Sequence, residues 1–525
     1  MNKKVHLVKG FDRISSLPEP IRAHILSFLP TRKAVRMSIL STSWRALWTQ
    51  MSSLDLRYFN LPILSASRKT KTKTSITKNK RLLYYDFIDL AFQSLMMLEK
   101  VKLYVPHFGS RLKPRVDNWV ARAFGYPLTE FDLHLEYLSD KASRYYLPKI
   151  VFGSNLITKL ELRNCGINES CLSDIHLPSL CNLSLACVSI NEEAMGILVA
   201  NCPNLENFKF DYCDGLKRLE ISGHAKLKKM EIAQYDQYHY DPLFSISIDC
   251  INMKVFKAIG APICDSELHS LLENLPALER LEFHQCNKLR NIEISSPHLV
   301  HLEFVKCENL RKAKVNAPNL KYLKYFYHRG VYYPVRFPLI ALTSRLKEAI
   351  ISLSPCQKQD NWQQGLVKFL AKLSHCERLT LIISRKKDLT IPQELRNNIR
   401  PPLFGVKHLV VQLCKLGSVP VKKRISVDFV EALLWLAPCP QTISICSQKS
   451  FEFKYESLLK RRKKCDCWKS LPVNCWRHSL SKVSVENKYE SKDDVELSNF
   501  FRNARFDGKL IEYSFKDSIS KKNQS

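Results

Sequence analysis

Glycine is scarce in this chain, with only 14 among 525 residues. Loops that cradle phosphates depend on glycine, and neither G-x-x-x-x-G-K-[S/T] nor a helix-opening G-x-G-x-x-G occurs. The G-x-S-x-G turn of α/β-hydrolases and the zinc motif H-E-x-x-H are missing as well. We therefore expect no phosphate-binding, hydrolase or zinc-protease chemistry of these kinds.

Long hydrophobic runs are also missing. The best candidate for a membrane span, Phe429 to Ala437, is too short and includes Glu431. The N-terminus has too few apolar residues before Lys9 for a secretory signal. The 18 cysteines of an unsecreted chain should be reduced thiols. We expect the protein in the nucleus and/or the cytoplasm, without membrane contact.

Acidic residues are outnumbered, 50 against 81 lysines and arginines, which gives a net charge of +31. Such a charge attracts polyanions non-specifically. Residues 65–81 are polar, Lys-rich and free of aromatics, so they predict a solvated linker, with a nuclear-import signal as the alternative. A basic scaffold with non-specific nucleic-acid affinity is the rival function, although no nucleic-acid-binding motif accompanies the charge.

The stretch Asp12 to Leu56 predicts three short helices. Pro18 suits a first helical turn, and Pro30 ends the first helix. Thr31 and Ser41 can cap the second and third helices. A unit of this size has too little core to be stable alone, so it should be buried against a larger body.

These residues resemble the F-box, and the match departs from that family's pattern at Pro20-Ile21-Arg22. The matching positions are Ile14, Leu17-Pro18, Ile25-Leu26, Phe28-Leu29-Pro30, Ala34-Val35, Ser38, Leu40-Ser41, Trp44, Leu47-Trp48 and Leu54-Asp55-Leu56. The resemblance implies docking onto the Skp-type adaptor of a cullin-based ubiquitin ligase; the alternative is a helical cap on a larger domain. The adaptor-binding residues it implies are Leu17, Pro18, Ile21, Ile25, Leu26, Phe28, Leu29, Pro30, Val35, Leu40, Trp44, Leu47 and Trp48.

The main body repeats the pattern P-x-L-x-x-[L/F]-x-[L/F/Y]. The five matches are Pro178-Leu180-Leu183-Leu185, Pro203-Leu205-Phe208-Phe210, Pro276-Leu278-Leu281-Phe283, Pro297-Leu299-Leu302-Phe304 and Pro318-Leu320-Leu323-Tyr325. The last three are spaced by 21 residues, with half-repeats Leu289-Ile292-Ile294 and Leu310-Ala313-Val315 between them. No unit can bury its strand face alone, so stacked units must share one core. This is the signature of leucine-rich repeats (LRR).

Cysteine recurs at a fixed place in the repeat. Cys165, Cys213, Cys286 and Cys307 each follow the second apolar strand residue by three positions, where the consensus has Asn or Cys. They should face the turn backbone and serve structure. Cys187 comes one residue early, which predicts an altered turn there.

The segment Cys475 to Phe515 resembles the FBD domain of plant F-box proteins. Cys465, Cys467, Cys475 and His478 have suitable zinc-ligand chemistry, but their spacing departs from that of common structural sites, so we expect no metal. The predicted fold class is α/β: a three-helix F-box, an LRR solenoid (horseshoe) and a C-terminal α/β FBD-like region. The predicted domains are a tail (1–10), the F-box (11–57), a basic linker (58–85), the repeats with their first helix–strand unit (86–420), the FBD-like domain (421–518) and a tail (519–525).

Together these resemblances imply the substrate-recognition subunit of a Skp–cullin–F-box ubiquitin ligase, in which the repeats bind a protein substrate for ubiquitination and proteasomal degradation. They imply a subunit that is not an enzyme and needs no cofactor. Such a subunit works by holding its substrate near a loaded enzyme. A small-molecule receptor role, known among plant relatives, is left open. Examples of predicted concave-face residues are Glu161, Glu282, Glu303, Lys321 and Lys324.

Overall fold

The chain forms two compact units, Met1–Phe244 and Ser245–Ser525, in a computed structural model. The structure describes residues 14, 16–29, 31–37, 41–56, 71–137, 144–234, 245–326, 345–353, 362–383, 385–413, 425–445, 449–456, 475–487, 493–505 and 508–516. Among these residues, no helix has both the length and the apolar character that a bilayer crossing requires.

The first unit begins with three short helices, α1 (Glu19–Ser27), α2 (Thr31–Met37) and α3 (Thr42–Thr49). As predicted, Ser41 caps α3, because its hydroxyl accepts a hydrogen bond from the Trp44 N–H at 3.3 Å. Leu26, Ala34, Trp44 and Leu47 form the small core of this three-helix bundle.

A parallel sheet forms the rest of the first unit. Its further elements are β1 (Ser53–Asp55), α4 (Lys71–Ser94), β2 (Lys100–Phe108), α5 (Lys113–Phe124), β3 (Glu130–Tyr137), β4 (Lys159–Arg163), β5 (Asn182–Ala186), α6 (Glu192–Ala200), β6 (Asn207–Asp211), β7 (Arg218–Ser222) and β8 (Lys229–Ala233). The strands β1, β2, β3, β4, β5, β6 and β8 pair in that order, all parallel. Partly exposed and buried residues alternate along β5 and β6, so one apolar face of each strand lies in the core.

The second unit repeats this arrangement at larger scale. Its elements are β9 (Ser245–Asp249), β10 (Val255–Ile259), α7 (Asp265–Glu273), β11 (Arg280–His284), β12 (Asn291–Ser295), β13 (His301–Val305), β14 (Lys312–Asn316), β15 (Tyr322–Phe326), β16 (Glu348–Leu353), α8 (Trp362–Ala371), β17 (Arg378–Ile383), α9 (Gln393–Asn398), β18 (His408–Leu413), α10 (Val427–Leu436), β19 (Thr442–Ile445), β20 (Lys449–Tyr455), α11 (Trp476–Ser479), β21 (Leu480–Asn487), α12 (Asp493–Arg502) and β22 (Glu512–Lys516).

The 21-residue spacing becomes strand register in this unit. Leu281 pairs with Leu302, and Leu302 with Leu323, so each repeat adds one parallel strand in phase. The half-repeats pair separately as β12 with β14. The parallel sheet continues through β18 and β19, past the predicted boundary at residue 420, and turns antiparallel only at β20.

Several repeat turns use a left-handed residue directly after the strand. Asn164, Tyr212, Gln285 and Lys306 have φ between 52° and 58°, and the buried cysteine follows each of them. The Cys286 thiol donates to the Ala258 carbonyl at 3.5 Å, as predicted for a thiol that faces turn backbone.

The prediction of an altered turn at Cys187 was wrong. Cys187 itself takes the left-handed position with φ 53°, and Val188, which is fully buried, occupies the place that cysteine fills elsewhere. The turn geometry is therefore the same as in the other repeats, and the buried residue after the turn is Val188 in place of a cysteine.

The helix α4 begins at Lys71, within the predicted linker of residues 58–85. Tyr84 and Tyr85 of this helix are buried. The Tyr84 hydroxyl lies 3.1 Å from the Leu56 carbonyl and 2.7 Å from the Tyr104 carbonyl, which ties α4 to the sheet.

Candidate functional site

The predicted adaptor-binding residues divide into buried and accessible groups. Leu26, Trp44, Leu47 and Trp48 lie inside the three-helix bundle, with at most 7% of each exposed. These side chains therefore stabilise the packing of the three helices. Pro30 and Leu40 lie outside the described residues.

An apolar face is left on α1. Ile21 is 47% exposed and Phe28 is 74% exposed, while Pro18 is exposed beside them. Leu17, Ile25, Leu29 and Val35 are half-buried. Residues 18, 21, 25 and 28 are spaced by three or four, so they share one side of the helix. We call Pro18, Ile21, Ile25 and Phe28 the α1 face.

Arg22 turns away from the α1 face. Its guanidinium lies 5.7 Å from the centre of the Trp44 ring and donates to the Ser43 hydroxyl at 2.8 Å. The charge at this departure from the F-box pattern is therefore used within the bundle, where it braces α1 against α3.

The bundle is built into the first repeats. β1 pairs with β2 from Ser53 to Asp55, and the Leu56 N–H donates to the Lys102 carbonyl at 2.8 Å. Thr31, which is 2% exposed, accepts the Asp55 N–H at 2.8 Å. The F-box end thus becomes the edge strand of the repeat sheet, which fixes the α1 face relative to that sheet.

A polar cluster lies on the second unit's sheet. Alternate residues of a strand share a face, so Glu282 and His284 of β11 lie beside His301 and Glu303 of β13. We call these four residues the His–Glu cluster. The two carboxylate side chains are only 11% and 10% exposed. Glu282, His301 and Glu303 offer ligand atoms that all lie within 4.8 Å of one another, which makes them the described group suited to a metal ion.

The electrostatics of the cluster favour charged carboxylates. Burial alone would raise the pKa of Glu303, but polar contacts from His284, His301 and Lys324 outweigh it and hold that pKa well below its usual range. Burial, aided by the negative charge of Glu303, raises the pKa of neighbouring Tyr322 to about 12. The Tyr322 ring stacks on the His301 ring at 4.2 Å between centroids.

The other predicted face residues are divided. Glu161 and Lys324 lie on strand faces, where Glu161 meets Lys159 at 2.6 Å and Lys324 meets Glu303 at 3.0 Å. Lys321 precedes β15 instead, and it lines a cleft with Lys254 and Glu279. The prediction that Lys321 lies on the strand face was therefore wrong.

Two of the buried cysteines are poorly suited to act as nucleophiles. Burial raises the pKa of Cys165 and of Cys202 to about 12, so both thiols stay protonated at neutral pH. Of the four possible zinc ligands Cys465, Cys467, Cys475 and His478, the first two lie outside the described residues. Cys475 directly precedes α11 as its N-cap residue.

Both glutamates of the cluster were predicted on the repeat face, whereas both histidines were missed. The signal was present as Glu-Phe-His at 282–284 and His-Leu-Glu at 301–303. Period two puts each pair on one face, and the 21-residue repeat brings the pairs side by side.

Comparison with known proteins identifies two domains. The repeat region matches the family model described as At1g61320/AtMIF1, LRR domain, over residues 92–262 and 239–439. Residues 14–56 match the F-box domain model.

Similar proteins come from Arabidopsis thaliana. F-box/LRR-repeat protein At4g14103 is 33% identical over 205 residues, which cover 38% of this chain and 49% of that protein. F-box/LRR-repeat protein 25 is 25% identical over 50% of this chain and 89% of that protein. Putative F-box/FBD/LRR-repeat protein At2g05300 is 31% identical over 38% of this chain and 41% of that protein. The chain thus spans about half or less of the length of two of these three.

The crystal structure of the APL1 leucine-rich repeat domain aligns with a TM-score of 0.32 and 16% identity, covering 62% of this chain and 82% of that chain.

Proposed function

This chain belongs to the family of F-box proteins with leucine-rich repeats, and we propose that it is the substrate-recognition subunit of a Skp–cullin–F-box ubiquitin ligase. F-box/LRR proteins are generally non-catalytic adaptors that recognise substrates. In the proposed role the α1 face docks the Skp-type adaptor, the cullin follows through that adaptor, and the repeats hold a protein substrate.

The observation that carries the proposal is the exposed α1 face. Phe28 leaves 74% of its surface accessible and Ile21 leaves 47%, although four large apolar neighbours are buried within the same bundle. Exposed aromatic and aliphatic side chains that share one helix side are the usual anchors of a helix-docking interface. An adaptor that covers them would supply the burial that this small bundle lacks.

The junction of the bundle with the sheet supports a proximity mechanism. Because β1 is a strand of the repeat sheet, an adaptor bound at the α1 face is held at a fixed place relative to the first repeats. A rigid link raises the effective concentration of a bound substrate near a loaded enzyme more than a flexible link of equal length does. We propose that this activity takes place in the nucleus and/or the cytoplasm, where the 18 cysteines of the chain would remain reduced.

Adaptor binding by the full-length chain tests the proposal. The double variant Ile21→Ala/Phe28→Ala should lose about 2–4 kcal/mol of binding free energy, on the order of 30- to 1,000-fold in Kd, if these residues are interface anchors. The measurement is the Kd for a Skp-type adaptor by calorimetry. Both residues are exposed, so the fold should tolerate the change.

The matched control is Leu83→Ala/Leu90→Ala. These leucines lie on α4 and are 67% and 58% exposed, so the control removes similar apolar surface away from the α1 face. It should bind adaptor as wild type does. Failure of the wild-type chain to bind, or equal losses in both variants, would remove the support for adaptor docking at this face.

A further inference from the structure

The His–Glu cluster forms a closed ring of ligand atoms. His301 Nε2 lies 2.8 Å from Glu303 Oε1 and 3.8 Å from Glu282 Oε1. His284 Nε2 lies 3.5 Å from Glu303 Oε2 and 3.8 Å from Glu282 Oε2. An ion with tetrahedral ligands at about 2.0–2.1 Å keeps its ligand atoms about 3.3 Å apart. The ligand atoms of Glu282, His301 and Glu303 all lie within 4.8 Å of one another, so these three are close to that spacing, and His284 adjoins both carboxylates.

One nitrogen of the ring has unused bonding capacity. Within the described part of the chain, His284 Nε2 is buried and makes no hydrogen bond of good geometry, because its contacts with the Glu303 and Glu282 carboxylates are long, at 3.5 Å and 3.8 Å. A buried polar atom without a partner costs free energy, and a bound cation would satisfy it. The stacked Tyr322 ring, inclined by 6°, holds the plane of the His301 imidazole.

We propose that the His–Glu cluster binds a divalent transition-metal ion of the zinc class, with Glu282, His301 and Glu303 as ligands and His284 as the fourth. Imidazole nitrogen and carboxylate oxygen are both zinc ligands. Magnesium and calcium prefer oxygen ligands alone, so two nitrogens among four ligands argue against them. The ion would join neighbouring repeats across β11 and β13.

Cationic side chains hold the same carboxylates and must compete with the ion. Lys324 lies 3.0 Å from Glu303, while Lys257 and Arg280 lie 3.6 Å and 3.4 Å from Glu282. The lysine side chains are 30% and 27% exposed, so their flexible stems can carry the ammonium groups into water when the ion enters. Removal of a competing cation should therefore strengthen metal binding.

Zinc binding by the full-length chain tests the site. The variant His301→Gln/Glu303→Gln removes two ligands, so its zinc Kd should rise by more than the roughly 10- to 100-fold caused by changes around a metal's ligands. The matched control, His269→Gln/Glu273→Gln, removes an exposed His–Glu pair on α7 whose Nδ1 and Oε1 atoms are 3.5 Å apart. It should keep the wild-type Kd. Equal zinc affinity in wild type and the cluster variant would overturn the proposal.

Removal of the competing lysine should change the zinc Kd in the direction opposite to that of the cluster variant. Lys324→Met should lower the zinc Kd, because it frees Glu303 without removing a ligand. A site in which Lys324 merely supported the local structure would weaken instead, and that result would contradict the proposal.

An X-ray absorption spectrum of the zinc-loaded wild-type chain tests the ligands directly. The 18 cysteines are alternative zinc ligands. We expect a nitrogen and oxygen shell at about 2.0–2.1 Å with imidazole scattering, whereas a sulfur shell at about 2.3 Å would overturn the assignment. The spectrum requires no variant, so it decides the question even if the cluster variant misfolds.

Discussion

At the scale of single residues, Thr31 fixes the end of the F-box. Its buried hydroxyl accepts the Asp55 N–H at 2.8 Å. Thr31→Val keeps the shape of the side chain but leaves this N–H without its acceptor, which should lower local stability by about 1–3 kcal/mol. Hydrogen–deuterium exchange measured by mass spectrometry should show faster exchange in the peptide that contains Asp55.

Thr42→Val is the control for that change. Thr42 is exposed at the start of α3, so its replacement should leave exchange around Asp55 at the wild-type rate. The same protection in both variants would mean that the Thr31 hydrogen bond does not hold β1 in place.

The contacts of Arg22 could not be predicted from the sequence. The sequence places a charge among the apolar residues of α1, because helical spacing gives only the angle at which a side chain leaves the axis. The structure has the guanidinium folded onto Trp44 and Ser43. A long flexible side chain chooses its partner in three dimensions, and spacing along one helix does not encode that choice.

At the scale of elements, a left-handed residue follows several of the repeat strands, among them β4, β6, β11 and β13. Gly260 holds this position after β10 with φ 61°. An L-residue pays about 1–2 kcal/mol in the left-handed region, so Gly260→Ala should destabilise the chain by about that amount. Urea unfolding followed by circular dichroism measures the change.

Gly196 provides the same substitution with the opposite sign. It lies within α6, and an added Cβ there meets nothing within 4 Å. Gly196→Ala should stabilise the helix by about 0.5–1 kcal/mol. Destabilisation by both substitutions would show that packing, and not backbone conformation, governs these positions.

The repeats could be predicted because each unit carries its own signal. Apolar residues at period two give the strand, and the 21-residue spacing gives the register, as with Leu281, Leu302 and Leu323. The joining of β1 to β2 could not be predicted, because Leu54 and its partner Val101 are 47 positions apart in the sequence and no repeat links them. The His–Glu cluster lies between these cases, since its faces were visible but its lateral contacts were not.

At the scale of the whole molecule, the net charge of +31 sets the rival function against the proposed one. Charge draws in nucleic acid by releasing counterions, so such binding weakens steeply with salt. The α1 face is apolar, and the burial of apolar surface does not depend on screening of charges. The two kinds of partner therefore differ in how they respond to ionic strength.

We expect adaptor affinity to change by less than about threefold between 50 and 200 mM salt, because no charged residue belongs to the α1 face. Binding to double-stranded DNA of arbitrary sequence should instead weaken by about 10³- to 10⁵-fold over this interval if six to ten phosphates are contacted. Fluorescence anisotropy with labelled adaptor and labelled DNA measures both. If adaptor affinity falls steeply by 200 mM salt while DNA affinity persists, the nucleic-acid function is favoured over the adaptor function. A steep loss of affinity with salt is the mark of binding through charge.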